Sequence, residues 1–188
     1  MNNQNYLIES EKTEKKFPDG LKVQQGTLEG TIGLFESVMH MGFLVDVLKK
    51  HFIYDKSMDE MGDLVEKHLS NLAKAQARMD QDDGELIELD QDRAEVFHAL
   101  LGLVSELSEV IEIVVPYLQG KEMDANHLSE EIADAHWYYS ILNRKFNINP
   151  DESLSANIAK LKARYPDKFS SDNALNRNLD AEQIAMGS

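Results

Sequence analysis

Apolar residues recur at three- and four-residue spacing along most of the chain, the periodicity of amphipathic helices. From about Thr27 to Ile53 they are Leu34, Val38, Met41, Leu44, Val45 and Leu48. A second run, about Asp59 to Met79, carries Leu64, Leu69, Leu72 and Ala73. A third, about Arg93 to Val115, places Leu100, Val104, Leu107, Ile111 and Val114 on one half of the helical circumference and is expected to stop at Pro116. Asp124 is a good N-cap for a fourth helix reaching about Phe146, with Leu128, Ile132, Ala135, Tyr139 and Leu142 as its core stripe. A shorter fifth helix covers about Glu152 to Tyr165 and ends at Pro166. No segment alternates convincingly with period two, so the expected fold is all-α.

These elements suggest an organisation. Residues 1–20 read as a flexible lead-in and residues 21–79 as one helical hairpin. Residues 80–92 carry seven acids and no base, and like charges at that density oppose compaction, so they read as a solvated linker. The same stretch fails as a calcium loop. Counted from Asp80, its twelfth position is Gln91, where a bidentate glutamate is needed. Residues 93–188 form a second hairpin, a C-terminal helix and an extended polar tail. Two hairpins in one chain make a four-helix bundle, one globular unit, the economical arrangement.

Composition narrows the partners. The chain has 188 residues, 42% of them hydrophobic, enough for a real core. Its 34 acidic and 19 basic side chains give a net charge of −15. Such a surface repels nucleic acid and anionic membranes, because both are bound by neutralising phosphates with lysine and arginine. A small anionic ligand would need a metal ion or a local basic patch. Without cysteine there is no disulfide and no thiolate zinc site. No apolar run is seen to reach the about 18 residues of a membrane span, and Met1 to Asn5 lack a signal-peptide layout. A cytoplasmic protein is expected.

Candidate chemistry lies in two acid pairs. Glu106 and Glu109 are three residues apart, as are Glu131 and Asp134, so each pair shares a helix face. If the third and fourth helices pack antiparallel, four carboxylates converge, and a hard divalent cation would relieve their repulsion. One Glu-x-x-Glu is equally explained by a solvated acidic face, and Glu109 sits toward the polar side of its helix. The fourth helix is more telling. Glu130, Glu131 and Asp134 occupy a face away from the core stripe, and a turn or two later that face carries Trp137, Tyr138 and Ile141. A cleft with acids at one end and rings beyond suits a nucleotide. Residues 144–177 hold seven cations against four acids, with Asn157, Lys160 and Arg164 on one helical face. This is either a phosphate-binding patch or an ordinary basic surface.

Taken in order, these residues resemble the all-α NTP pyrophosphohydrolases, the MazG-like superfamily. Glu106-x-x-Glu109, a 21-residue gap and Glu131-x-x-Asp134 look like its metal-binding signature. Gly102-Leu103-Val104 before the first pair, Trp137-Tyr138 after the second, and Asn157-Ile158-Ala159-Lys160-Leu161-x-x-Arg164-Tyr165-Pro166 downstream are similar too. Asn176 to Glu182 resembles the tail of versions common in phage genomes. More faintly, Met41 to Lys56 looks like the segment following the first glutamate pair, which places His40 and Phe43 where the glutamates belong. A second motif falls near Glu66 to Leu69, with its aspartate gone.

The resemblance implies a tandem duplication whose first copy has lost its ligands. It implies Mg²⁺ (or Mn²⁺) on Glu106, Glu109, Glu131 and Asp134, with Glu130 as reserve ligand or base. Asn157, Lys160 and Arg164 would hold phosphates, and Trp137 and Tyr138 are candidates to meet the base. The implied reaction converts a nucleoside triphosphate to monophosphate and pyrophosphate. One chain would act as a pseudo-dimer, and a homodimer of such chains would match the family's tetramers. Two alternatives stay open: a non-catalytic helical module binding a nucleotide or a protein, and a relative acting on phosphoribosyl-ATP or an alarmone. His98, His127 and His136 read as core or surface histidines.

Overall fold

The computed structural model describes residues 2–78 and 84–187. Among them are eight α-helices and two four-residue strands. The all-α class stands. The strands, β1 (Leu21–Gln24) and β2 (Leu86–Leu89), were not expected, and they pair with each other. Four residues are too few for alternation to stand out from chance. Residues 80–83 of the expected acidic linker lie outside the described residues, as does the last residue of the expected first hairpin, and the rest of the linker supplies β2 and the start of the helix that follows it.

The chain divides into two compact units that do not follow its linear order. The first joins Met1–Leu21 to Glu88–Leu154, and the second joins Lys22–Ile87 to Ser155–Ser188. The division passes through both strands.

The first unit is built on a long hairpin, α4 (Gln91–Leu118) and α5 (Ala125–Lys145), with α1 (Asn3–Glu11) laid on α5. Asp90 caps α4 by accepting from the Arg93 N–H at 2.8 Å. Asp124 caps α5 from the Asn126 and His127 N–H groups. Each such cap is worth about 1 kcal/mol. Pro116 does not end α4, contrary to expectation. It sits in the last turn, where it forfeits one helical N–H bond, and the helix runs on to Leu118 before Gly120 turns at φ +85°.

Small residues make the seam between α4 and α5. Ala94 and Ala99 are fully buried, and a Cβ added at Gly102 would fall inside the ring of Tyr138. The expected core stripes lie elsewhere. Leu100, Leu107, Ile111, Ile132 and Tyr139 are exposed. Several of them line an apolar groove of about 350 Å³ with Leu103, Val104 and Val110. Close approach of two helices selects small side chains at the crossing and leaves the bulky ones flanking it, which a helical wheel does not reveal.

The expected flexible lead-in contains α1. Polar contacts hold it: Ser10 Oγ to Ser140 Oγ at 2.8 Å, and Arg144 donating to the Leu7 carbonyl, Ser10 Oγ and the buried Glu14 carboxylate. The helix shows almost no apolar periodicity, so periodicity could not find it.

The second unit centres on α2 (Gln25–Tyr54) and α3 (Gly62–Gln76), joined through a 3-10 turn at Asp59–Met61. They come close at Gly33, where a Cβ would stand 2.6 Å from the Ala75 carbonyl oxygen. By length and composition α2 is apolar enough to cross a membrane, with a mean hydropathy of 1.4 over its best window, which corrects the expectation that no segment is. Buried core helices of soluble proteins meet the same criterion, whereas 17% of this window is buried. The tail, expected to be extended, forms α7 (Ser171–Leu175) and α8 (Leu179–Met186) after α6 (Pro150–Arg164), which begins in the first unit. Glu182, only 2% exposed, anchors it by accepting paired hydrogen bonds from both Arg164 and Arg177.

Candidate metal centre

Helical spacing positions the acids. At about 100° per residue, Glu131, Asp134, Tyr138, Ile141 and Lys145 fall on one side of α5, while Ala133, Trp137, Ser140 and Arg144 face α1. On α4, Glu106 lies one turn beyond Gly102, on the same seam. Glu106 and Glu131 are thereby buried, at 8% and 5% exposure, and Glu109 stands at the open edge. One carboxylate oxygen from each of these three lies within 4.8 Å of the others.

Such a group repels itself unless something compensates. Burial, then a hydrogen bond shared with Glu131 and the charges of Glu109 and Asp134, holds the Glu106 carboxyl above the usual carboxylate range. A retained proton is one way to relieve the cluster, and a divalent cation is the other. The donor set, all hard carboxylate oxygens, fits Mg²⁺ or Mn²⁺.

Of the expected ligands, the structure brings Glu106, Glu109 and Glu131 together. Asp134 is exposed and outside this tight group, yet near enough for its charge to act on Glu106 and Tyr138. Glu130 is exposed and stands apart from the trio. His127, read from sequence as a core or surface residue, places Nε2 2.9 Å from Glu131 Oε1. The signal was present, since the two are four residues apart on a helix. Carboxylates that hold a metal are themselves hydrogen-bonded by neighbours that fix their orientation, and His127 is placed to do this for Glu131. Tyr6 was also missed. Its hydroxyl donates to the Ala133 carbonyl at 3.4 Å, and burial followed by the Asp134 charge raises its pKa.

Trp137 and Tyr138 meet edge-on, with ring centroids 4.9 Å apart, and His98 packs on both. The Trp137 N–H donates to Thr13 Oγ1 at 2.8 Å. Burial, then the Glu106, Asp134 and Glu109 charges, raises the Tyr138 pKa, so this ring borders the acids.

Asn157, Lys160 and Arg164 belong to the second unit. Asn157 is exposed and Lys160 half-buried. Arg164 is already engaged. Its bidentate pairing with Glu182, at 2.9 and 2.7 Å, raises its pKa and takes up the guanidinium edge expected to bind phosphate.

The second unit also contains a helical hairpin, with other side chains at its seam. His40 and Phe43 of α2 meet His68 of α3. The two histidine Nδ1 atoms are 3.2 Å apart, and Phe43 stacks on His68 with centroids 4.6 Å apart. Burial, then the His40 and Lys67 charges, lowers the His68 pKa.

The first unit is thus a helical hairpin with a carboxylate cluster suited to a hard divalent cation. Comparison with protein-family models, with curated proteins and with solved structures finds no match to this chain.

Proposed function

We propose that this chain is a divalent-metal-dependent nucleoside triphosphate pyrophosphohydrolase of the MazG-like kind, converting (d)NTP and water to (d)NMP and diphosphate. One observation carries the reading: three glutamates from two helices gather oxygens within 4.8 Å, two of them buried where a bare charge cluster is costly. A structural role would be served better by apolar residues at those positions. The order of motifs along the chain supports the same reading.

In this reading Glu106, Glu109 and Glu131 hold Mg²⁺ or Mn²⁺, and Asp134 completes the set from the open edge. The ion would draw in the triphosphate and offset charge developing on it. His127 keeps Glu131 oriented, and Glu130 is a reserve base. Tyr138, beside the acids, would wall the space for the base and sugar, and Trp137, turned toward Thr13, would back that ring. Arg164 is held by Glu182, so Lys160 and Asn157 are the phosphate contacts this reading retains. The two hairpins would together make a MazG-like four-helix bundle, a single-chain pseudo-dimer that pairs with a second chain. The setting would be the cytoplasm, with no nucleic-acid or membrane partner.

A pyrophosphate-release screen over ribo- and deoxynucleoside triphosphates, phosphoribosyl-ATP and alarmones, with Mg²⁺ and with Mn²⁺, tests it. Release from at least one triphosphate, abolished in Glu109→Gln with helicity intact, is the expected result. Tight nucleotide binding without release from any substrate would favour the non-catalytic module.

A further inference from the structure

We propose that the second unit carries its own metal site, a two-histidine chelate formed by His40 and His68 for a borderline transition ion such as Zn²⁺, Ni²⁺ or Co²⁺. The site is separate from the carboxylate cluster and does not depend on the activity proposed for it.

Geometry is the first argument. The two Nδ1 atoms lie 3.2 Å apart. A tetrahedral centre with metal–nitrogen bonds of about 2.0–2.1 Å sets two ligand nitrogens about 3.3–3.4 Å apart. A right-angled arrangement with the same bonds sets them about 2.9 Å apart. The observed separation falls between these, so neither helix need move to chelate an ion. In the metal-free protein the same approach is an N–H···N hydrogen bond, in which one neutral ring donates from Nδ1 to the other. Uptake of an ion then requires only that the donor ring carry its proton on Nε2 instead. Two neutral rings give up no net proton.

Rigidity is the second. His68 is 8% exposed, and Phe43 stacks on it at 29° between planes. His40 is half-buried, and its ring centroid is 5.4 Å from that of His68. Both rings therefore sit on helices with little rotamer freedom, and less entropy is lost on chelation than for two surface histidines. His40 is only partly buried, so the remaining coordination positions would fall to water.

Chemistry sets the selectivity. Imidazole nitrogen suits Zn²⁺, Ni²⁺, Co²⁺ and Cu²⁺, whereas Mg²⁺ requires oxygen donors. The chain would thus hold two kinds of ion on two hairpins, a hard one between α4 and α5 and a borderline one between α2 and α3.

The test uses the full chain carrying Glu106→Gln and Glu131→Gln, which disables the carboxylate cluster. Titration with Co²⁺, followed by visible absorption and calorimetry, should show one ion bound with nitrogen ligation and displaced by Zn²⁺ but not by Mg²⁺. Adding His40→Gln should weaken that binding at least tenfold with helicity unchanged. Because His68→Gln, at a buried position, is liable to unfold the unit, the second readout needs no substitution. The ¹⁵N shifts of His40 and His68 Nδ1 should move on Zn²⁺ addition, ahead of those of His51, His98, His127 and His136. Unchanged Co²⁺ affinity in His40→Gln, or Zn²⁺ shifts confined to the other four histidines, overturns the proposal. Loss of nucleotide hydrolysis leaves these readouts untouched, so the two readings fail separately.

Discussion

Where α4 meets α5, the side chains facing each other are Glu106, Glu109 and Glu131. Where α2 meets α3, they are His40, Phe43 and His68. Both hairpins are long, both are preceded by a four-residue strand, and both are crossed closely at a glycine. They differ in the side chains at their seams. One hairpin gathers negative charge that is satisfied only by a proton or a cation. The other lines its seam with rings that satisfy each other by stacking and one hydrogen bond. The contrast teaches that two helices can cross at a glycine without acids beside it, so the buried acids of the first unit need a reason beyond packing.

Substituting an acid separates these roles most sharply. Glu106→Gln should lower pyrophosphate release by about 10²–10³-fold, the scale for removing one group that acts on developing charge. It should also raise the melting temperature of the metal-free protein, because it removes a buried charge from a repulsive group. Activity and stability would then move in opposite directions. A variant that loses both together would point to a structural role for the trio and erase the contrast with the histidine hairpin.

The next effect is steric. At Gly102 the Tyr138 ring occupies the place of a Cβ, so Gly102→Ala must push the helices apart or expel the ring. Overpacking of this kind costs about 1–3 kcal/mol. It should also loosen the cation site, since Glu106 is one turn away. Urea denaturation and a metal titration on the same variant check both halves of this expectation. A stable Gly102→Ala with unaltered metal affinity would falsify the close seam.

How far the sequence could be read follows from the same physics. The long helices were legible because period and caps agree, as at Asp124. The acid pairs were legible because i, i+3 spacing is local. Which helix face forms the seam was not, because Leu107 and Ile111 look like core on a wheel while Ala99 and Gly102 do the packing. Helix α1 was hidden by its polar surface, and the anchoring of the tail by Glu182 depends on Arg164 and Arg177, which are distant or unpatterned along the chain. Arg164 shows the limit most clearly. Its spacing suited a phosphate, and its partner is a carboxylate.

Acidity should act on the two units in opposite senses. The Glu106 carboxyl has a raised pKa, so its contribution to stability is fully present below the ordinary carboxylate value and is lost as pH rises through its folded value. Glu182, held by Arg164 and then Arg177, has a strongly lowered pKa. Its contribution is present above the ordinary value and is lost as pH falls toward its folded one. In metal-free protein, Glu106→Gln should therefore gain most in melting temperature near neutral pH, and Glu182→Gln should lose most there. Added Mg²⁺ should stabilise the unsubstituted chain more at pH 8 than at pH 5, since protons compete for Glu106. Parallel pH profiles for the two variants would contradict these assignments.

The smallest effect separates a glycine that makes no contact from the two, Gly33 and Gly102, at which the hairpins cross. Gly42 lies in the interior of α2, is exposed, and has nothing within 4 Å of where a Cβ would stand. Alanine there adds no clash and removes the conformational freedom that glycine gives the unfolded chain. Gly42→Ala should stabilise by about 0.5–1 kcal/mol, a rise of about 1–4 °C in melting temperature for a chain of this length. Gly102→Ala should move the other way, so the pair of variants separates the cost of a glycine inside a helix from the contact that a seam glycine permits. A fall in melting temperature for Gly42→Ala would mean that this face of α2 is closely covered, as the faces carrying Gly33 and Gly102 are.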